Sequence, residues 1–222
     1  MSRAARRILF ALAWLCGALA VGGVAASTLI DTGAGPSGPP GLVLVGSDND
    51  PFGLGFAFLG AQFVLTTTED ITGIQGWMAG EPQSGSGATI ALRRDSAGAP
   101  GTALFSGTFA GPPPTRIADW YGVNGVSWIL SPGTYWATFE VRAGQRLFAF
   151  MPYPVPMPLA LYAFENAQFS PLSWTTSTAD LEQFGVRVEG FAVPEPSMPL
   201  LLSIATMMML LAGLLHPARK DT

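Results

Sequence analysis

The chain has 222 residues, 49% of them hydrophobic and only 12% charged, with 27 glycines, 19 prolines, one histidine and one cysteine. A formal net charge of −4 speaks against nucleic acid as a partner, because phosphates are met by clustered Lys and Arg. The histidine is His216 and the cysteine is Cys16, so the long middle of the chain can hold neither Ser-His-Asp nor Cys-His nucleophilic sites, nor the usual zinc ligands.

Arg3, Arg6 and Arg7 precede an apolar stretch at 8–21, and Val24-Ala25-Ala26 offers small residues to a signal peptidase. This pattern predicts a secretory signal peptide over 1–26, cut after Ala26, with Val24 and Ala26 forming the recognition site. Cys16 falls inside it and follows Leu15, where a lipoprotein would need a small residue. The exported body is therefore expected to carry no disulfide. Residues 27–49 form a lead-in rich in Gly and Pro, with 42–45 reading as a short first strand. At its end, Asp48, Asn49 and Asp50 are candidate calcium ligands, supplying the hard oxygen donors that ion prefers. The same residues are also ordinary turn formers, and no other cofactor is expected.

Strands are predicted at 56–65, 71–78, 88–94, 102–109, 120–130, 133–141, 145–151, 159–164 and 184–191, from their alternation and their β-branched and aromatic content. Core candidates along them include Phe58, Phe63, Leu65, Ile71, Ile74, Trp77, Phe184, Val186 and Val188. Clusters of Gly, Pro and Ser at 81–87, 95–101 and 111–115 read as turns. The prolines of 152–158 exclude a central strand there. The strands at 120–130 and 133–141 read as a pair around Ser131-Pro132-Gly133. With no helical period in the body, 50–191 is expected to be one all-β domain, an antiparallel β-sandwich or jelly roll.

Beyond the signal, the tryptophans are Trp77, Trp120, Trp128, Trp136 and Trp174. Trp77, Trp128 and Trp136 are expected in the core. Trp120, Tyr121 and Trp174, flanked by polar or loop residues, are the candidates for stacking on sugar rings. For a carboxylate-pair enzyme the residues to name are Asp119 and Glu140. Asp119 reads as a turn residue and Glu140 as a solvated strand face, so no catalytic residue is assigned and the chain is not expected to be an enzyme. A secreted carbohydrate-active enzyme is the alternative.

The chain closes on Val193-Pro194-Glu195-Pro196-Ser197, an apolar run over 198–215, and His216-Pro217-Ala218-Arg219-Lys220. Residues 200–215 carry no charge and would rise roughly 24 Å as a helix, against a hydrocarbon thickness of ~30 Å that local thinning can match. Pro194 and Pro196 favour an extended segment that displays Glu195. Arg219 and Lys220 should stay cytoplasmic, leaving the body across the membrane. Motif, apolar segment and basic end, in that order over 193–220, resemble the PEP-CTERM sorting domain of exported proteins in Gram-negative bacteria that make an exosortase. The resemblance implies that exosortase, a membrane enzyme, recognises Val193, Pro194, Glu195 and Pro196 and cuts nearby, with Glu195 a recognition residue. Family members often finish on a run of arginines, whereas Asp221 follows Lys220 here, which weakens the retention signal.

The resemblance further implies an inner-membrane anchor during sorting with the body periplasmic, then a cell-surface or extracellular location. The expected role is non-catalytic: structural, adhesive or glycan-associating in the envelope or an extracellular matrix. Signal peptidase, exosortase, the membrane and exopolysaccharide are the expected partners. A permanently anchored β-sandwich protein is a further alternative. A second resemblance lies in Gly60-Ala61-Gln62-Phe63-Val64-Leu65, in 71–77, in Ile90-Ala91-Leu92 leading to Asp95 and 98–102, and in 130–136. These are similar to the β-sandwich domains that often precede such tails, and they carry no binding residue across.

Overall fold

The computed structural model describes residues 27–36, 41–46, 57–81, 85, 87–153, 161–166, 173–178 and 183–194, together with 206 and 209. The strands are β1 (Ser27–Asp31), β2 (Gly41–Gly46), β3 (Ala57–Leu65), β4 (Glu69–Gly80), β5 (Ala88–Ser96) and β6 (Ala99–Phe109), followed by β7 (Asp119–Leu130), β8 (Gly133–Glu140), β9 (Leu147–Pro152), β10 (Tyr162–Asn166), β11 (Thr175–Ser177) and β12 (Val186–Ala192). Every pairing is antiparallel. The all-β expectation therefore holds. The signal over 1–26 and the residues from 195 onward, apart from 206 and 209, lie outside the described set, and so do the helices expected at both ends. Among the described residues no helix is long and apolar enough to cross a membrane.

Strand β4 joins two sheets. Over most of its length it lies between β12 and β7, with β1 beyond β12, whereas its last residues, Ala79 and Gly80, pair with Phe150 and Ala149 of β9. From β9 the second sheet continues through β2, β3, β8, β5 and β6, with β10 and β11 branching from β3. The apolar faces of the two sheets share one core: Ile71, Ile74 and Met78 of β4, Val186 and Val188 of β12, Ile90 and Leu92 of β5, and Phe139 of β8 are all fully buried. Phe139 meets Phe184 edge to face at 6.0 Å, and Phe105 of β6 stacks on Trp128 of β7 at 5.7 Å and 7°. A Cβ on Gly76 would lie 2.5 Å from Met151 Cε and 2.8 Å from Phe139 Cε1, so glycine there lets the sheets approach. This arrangement is consistent with the expected β-sandwich.

Two expectations are corrected. The strands at 120–130 and 133–141 do not pair with each other. β7 pairs with β4 in one sheet while β8 lies between β3 and β5 in the other, so Ser131 and Pro132 carry the chain from sheet to sheet. Tyr135 Oη donates to the Ser131 carbonyl at 2.8 Å, fixing that corner as the tyrosine corners of Greek-key sandwiches do. In the lead-in of 27–49 the short strand expected at 42–45 appears as β2 against β9, and the correction is the additional β1, which pairs with β12 from Ser27↔Gly190 onward. By contrast, the turn expected at 95–101 narrows to Ala97 and Gly98, with φ of 55° and 82°, the two positive values a tight hairpin between twisted strands demands.

Candidate functional site

On a strand, successive side chains point to opposite faces. In β4, Ile74 and Met78 face the core, so Gln75 and Trp77 face outward. Trp77 is thus half-buried and outside the core expected for it, while Trp128 and Trp136 are buried as expected. Register places Trp77 opposite Trp120 of β7, Gln75 between Arg187 of β12 and Gly122 of β7, and Gly73 between Glu189 and Asn124. These residues form the outer face of the sheet β1-β12-β4-β7.

The geometry of this face is specific. Trp77 and Trp120 meet edge to face, with centroids 5.5 Å apart and planes at 65°. Trp77 Nε1 donates to the Pro36 carbonyl at 3.2 Å, which fixes the ring. Arg187 holds its guanidinium 4.3 Å from the Trp120 ring centre while its Nη2 lies 3.1 Å from Asp31 Oδ2. One face of Trp120 is therefore covered by a cation that is itself neutralised. Beyond the tryptophans, the side chains of Gln75, Asn124 and Glu189 make no hydrogen bond or ion pair among the described residues. A Cβ on Gly73 would stand 2.8 Å from Asn124 Oδ1 and 3.5 Å from Glu189 Oε2. The absence of that carbon lets Asn124 Oδ1 lie close over the strand backbone, with Glu189 Oε2 near it.

The three residues expected to contact sugar are not brought together. Trp120 belongs to this face. Tyr121, its neighbour along the strand, points the other way and packs against the core. Burial pushes its phenol pKa up, and the Asp119 carboxylate adds to the effect. Trp174 lies against the second sheet, 6.5 Å from Phe58 and 6.0 Å from Arg93 Cζ. Trp77 was expected in the core, and Gln75, Asn124, Arg187 and Glu189 were not named; the spacing of Ile74, Gly76 and Met78 is the signal that could have placed Trp77 outside.

Glu140 is not a solvated strand face. It is 3% exposed and accepts from Arg93 Nε at 2.8 Å, Thr138 Oγ1 at 2.6 Å and Arg142 Nε at 2.9 Å. Burial by itself would raise its pKa, but the hydrogen bonds from Arg93 and Thr138, the Arg93 charge and the Arg142 bond outweigh burial and hold the carboxyl below its ordinary range. Asp119 stands exposed on β7 in the other sheet, its Oδ1 accepting from the Trp120 amide. On the second sheet, Asp95 accepts from Trp136 Nε1 at 2.7 Å, Gln62 Nε2 at 3.1 Å and the Gly98 amide at 3.1 Å. Glu69 Oε2 and Asp70 Oδ1 are buried without a partner, but adjacent strand residues face opposite sides and do not make one site.

Among the described residues no group of three His, Cys, Asp or Glu side chains could hold a metal. The calcium candidates Asp48, Asn49 and Asp50 lie outside them, as do Val24, Ala26, Glu195, Pro196, Arg219 and Lys220. Of the sorting motif, Val193 and Pro194 are described, and the Val193 amide donates to the Thr68 carbonyl at 2.8 Å. No protein-family model matches the chain, and no curated protein matches it.

Proposed function

We propose that the chain is an exported, non-catalytic protein of the cell envelope or extracellular matrix, a β-sandwich delivered through a PEP-CTERM-like tail and holding glycan on the outer face of the sheet β1-β12-β4-β7. The observation that carries the glycan reading is the Trp77–Trp120 pair beside Gln75, Asn124 and Glu189, whose side chains have no partner among the described residues. Sugars present apolar ring faces and a fringe of hydroxyls, and such ligands are held by aromatic side chains with a few placed polar groups. Export rests on the order of parts over 1–26, a basic start, an apolar stretch and the small residues at 24–26. Exosortase recognition rests on the order of parts in the tail.

Retention of the exported chain on isolated cell-surface polysaccharide tests the glycan reading. Trp120→Ala should abolish retention with the fold intact, and Trp174→Ala should leave it unchanged. Retention that survives Trp120→Ala would refute the assignment to this face. Mass spectrometry of the mature C-terminus tests sorting: an end close to Pro196 is expected, and an intact end at Thr222 would favour a permanent anchor.

A further inference from the structure

The acceptors beside Gly73 and the charge around them point to one class of sugar, an inference that rests on the glycan reading. Arg187 is neutralised by Asp31, so Glu189 and Asp70, which register places on this face opposite the exposed Ile129, are carboxylates without a cation among the described side chains. A polymer of uronate, sulfate or phosphate would meet net repulsion there. A neutral sugar would leave Glu189 paired only with hydroxyls. Glu189 Oε2 and Asn124 Oδ1 both lie near the place a Cβ on Gly73 would take, two acceptors that no donor among the described residues satisfies. The chemistry that completes this arrangement is a compact cationic donor, since a hydrogen bond to an ionised partner is roughly twice as strong as one between neutral groups. Gly73 and Trp77 are four residues apart on β4, about 13 Å at ~3.3 Å per residue, the reach of a short oligosaccharide lying along the strand.

We infer that this face takes a glycan of amino sugars with free, protonated amines, one ammonium held by Glu189 and Asn124 beside Gly73 while a ring further along the oligosaccharide lies against the Trp77–Trp120 pair. The test titrates the exported chain with a glucosamine oligomer and with the N-acetylglucosamine oligomer of equal length, at a pH where the amines are protonated, following tryptophan fluorescence. The glucosamine oligomer should bind about tenfold more tightly or better, a difference of one ionic hydrogen bond. Glu189→Gln, which keeps the side chain's shape, should erase that preference, and Gly73→Ala should do the same by displacing Asn124 Oδ1. Trp120→Ala should weaken both ligands. Equal affinities, or a preference that survives Glu189→Gln, would overturn the amino-sugar assignment while leaving the glycan reading in place. The same holds if neither oligomer binds yet cell-surface polysaccharide still retains the chain through Trp120. Failure of every oligomer and polysaccharide to bind would sink both.

Discussion

Replacing Glu140 by glutamine keeps volume and one carbonyl acceptor but removes the charge that Arg93 and Arg142 share. Glu140 is 3% exposed, whereas the two arginines are 22% and 40% exposed, so water recovers part of their solvation once the partner is gone. Removing one member of a fully buried pair costs ~3–5 kcal/mol. With both cations reaching solvent and some neutral hydrogen bonding retained, the expected loss is about 2–3 kcal/mol. For a domain of this size that is a fall in Tm of roughly 5–10 °C. The assay is denaturant unfolding of wild type and Glu140→Gln across pH. Because the folded-state pKa of Glu140 is depressed, its stabilisation is complete above the unfolded value of ~4.3 and is lost as pH falls through the folded one. The gap between the two proteins should be full at neutral pH and close in acid. A loss under ~0.5 kcal/mol at neutral pH, within the range of an ordinary surface change, would refute the reasoning, as would a gap that stays constant into acid.

Tyr135→Phe removes the hydroxyl that bonds Ser131 at 2.8 Å and should cost about 1 kcal/mol, read as a lower denaturant midpoint with an unchanged slope. Gly76→Ala drives a methyl toward Met151 and Phe139 and should cost about 1–3 kcal/mol by forcing the sheets apart, which a melting scan would register. Gly98→Ala adds nothing that collides, yet at φ of 82° it should cost roughly 1–2 kcal/mol from backbone conformation alone, with the fold retained by circular dichroism.

Most strands were legible because alternation and turn chemistry are local. Expected spans such as 88–94 and 120–130 reappear within a few residues as Ala88–Ser96 and Asp119–Leu130. β1, Ser-Thr-Leu-Ile-Asp, and the three residues of β11 are too short and mixed to carry a period. Partnership was less legible. The link through Ser131 looks like a hairpin in sequence, and only long-range register shows that it changes sheets. Trp77 was misplaced by grouping Ile71, Ile74 and Trp77, a spacing of three, where a strand demands two; β4 carries an irregularity between Ile71 and Gly73, which resets the count. Glu140 looked solvated because its partner Arg93 lies far off in sequence, on β5. The acceptors beside Gly73 needed three strands in register before they could meet.

Ser27 of β1 lies beside Gly190 of β12, and β12 is held on its other side by β4. Ser27 and the last residues of β12 therefore stand at the same end of the sheet, and β12 is a strand flanked on both sides. Were the proposed glycan held on that sheet and the proposed anchor beyond Val193, tension between them would act lengthwise on β12, loading its hydrogen-bond ladders in shear. The bonds would share the force together instead of being peeled apart one after another, a mechanical arrangement suited to a tether under load.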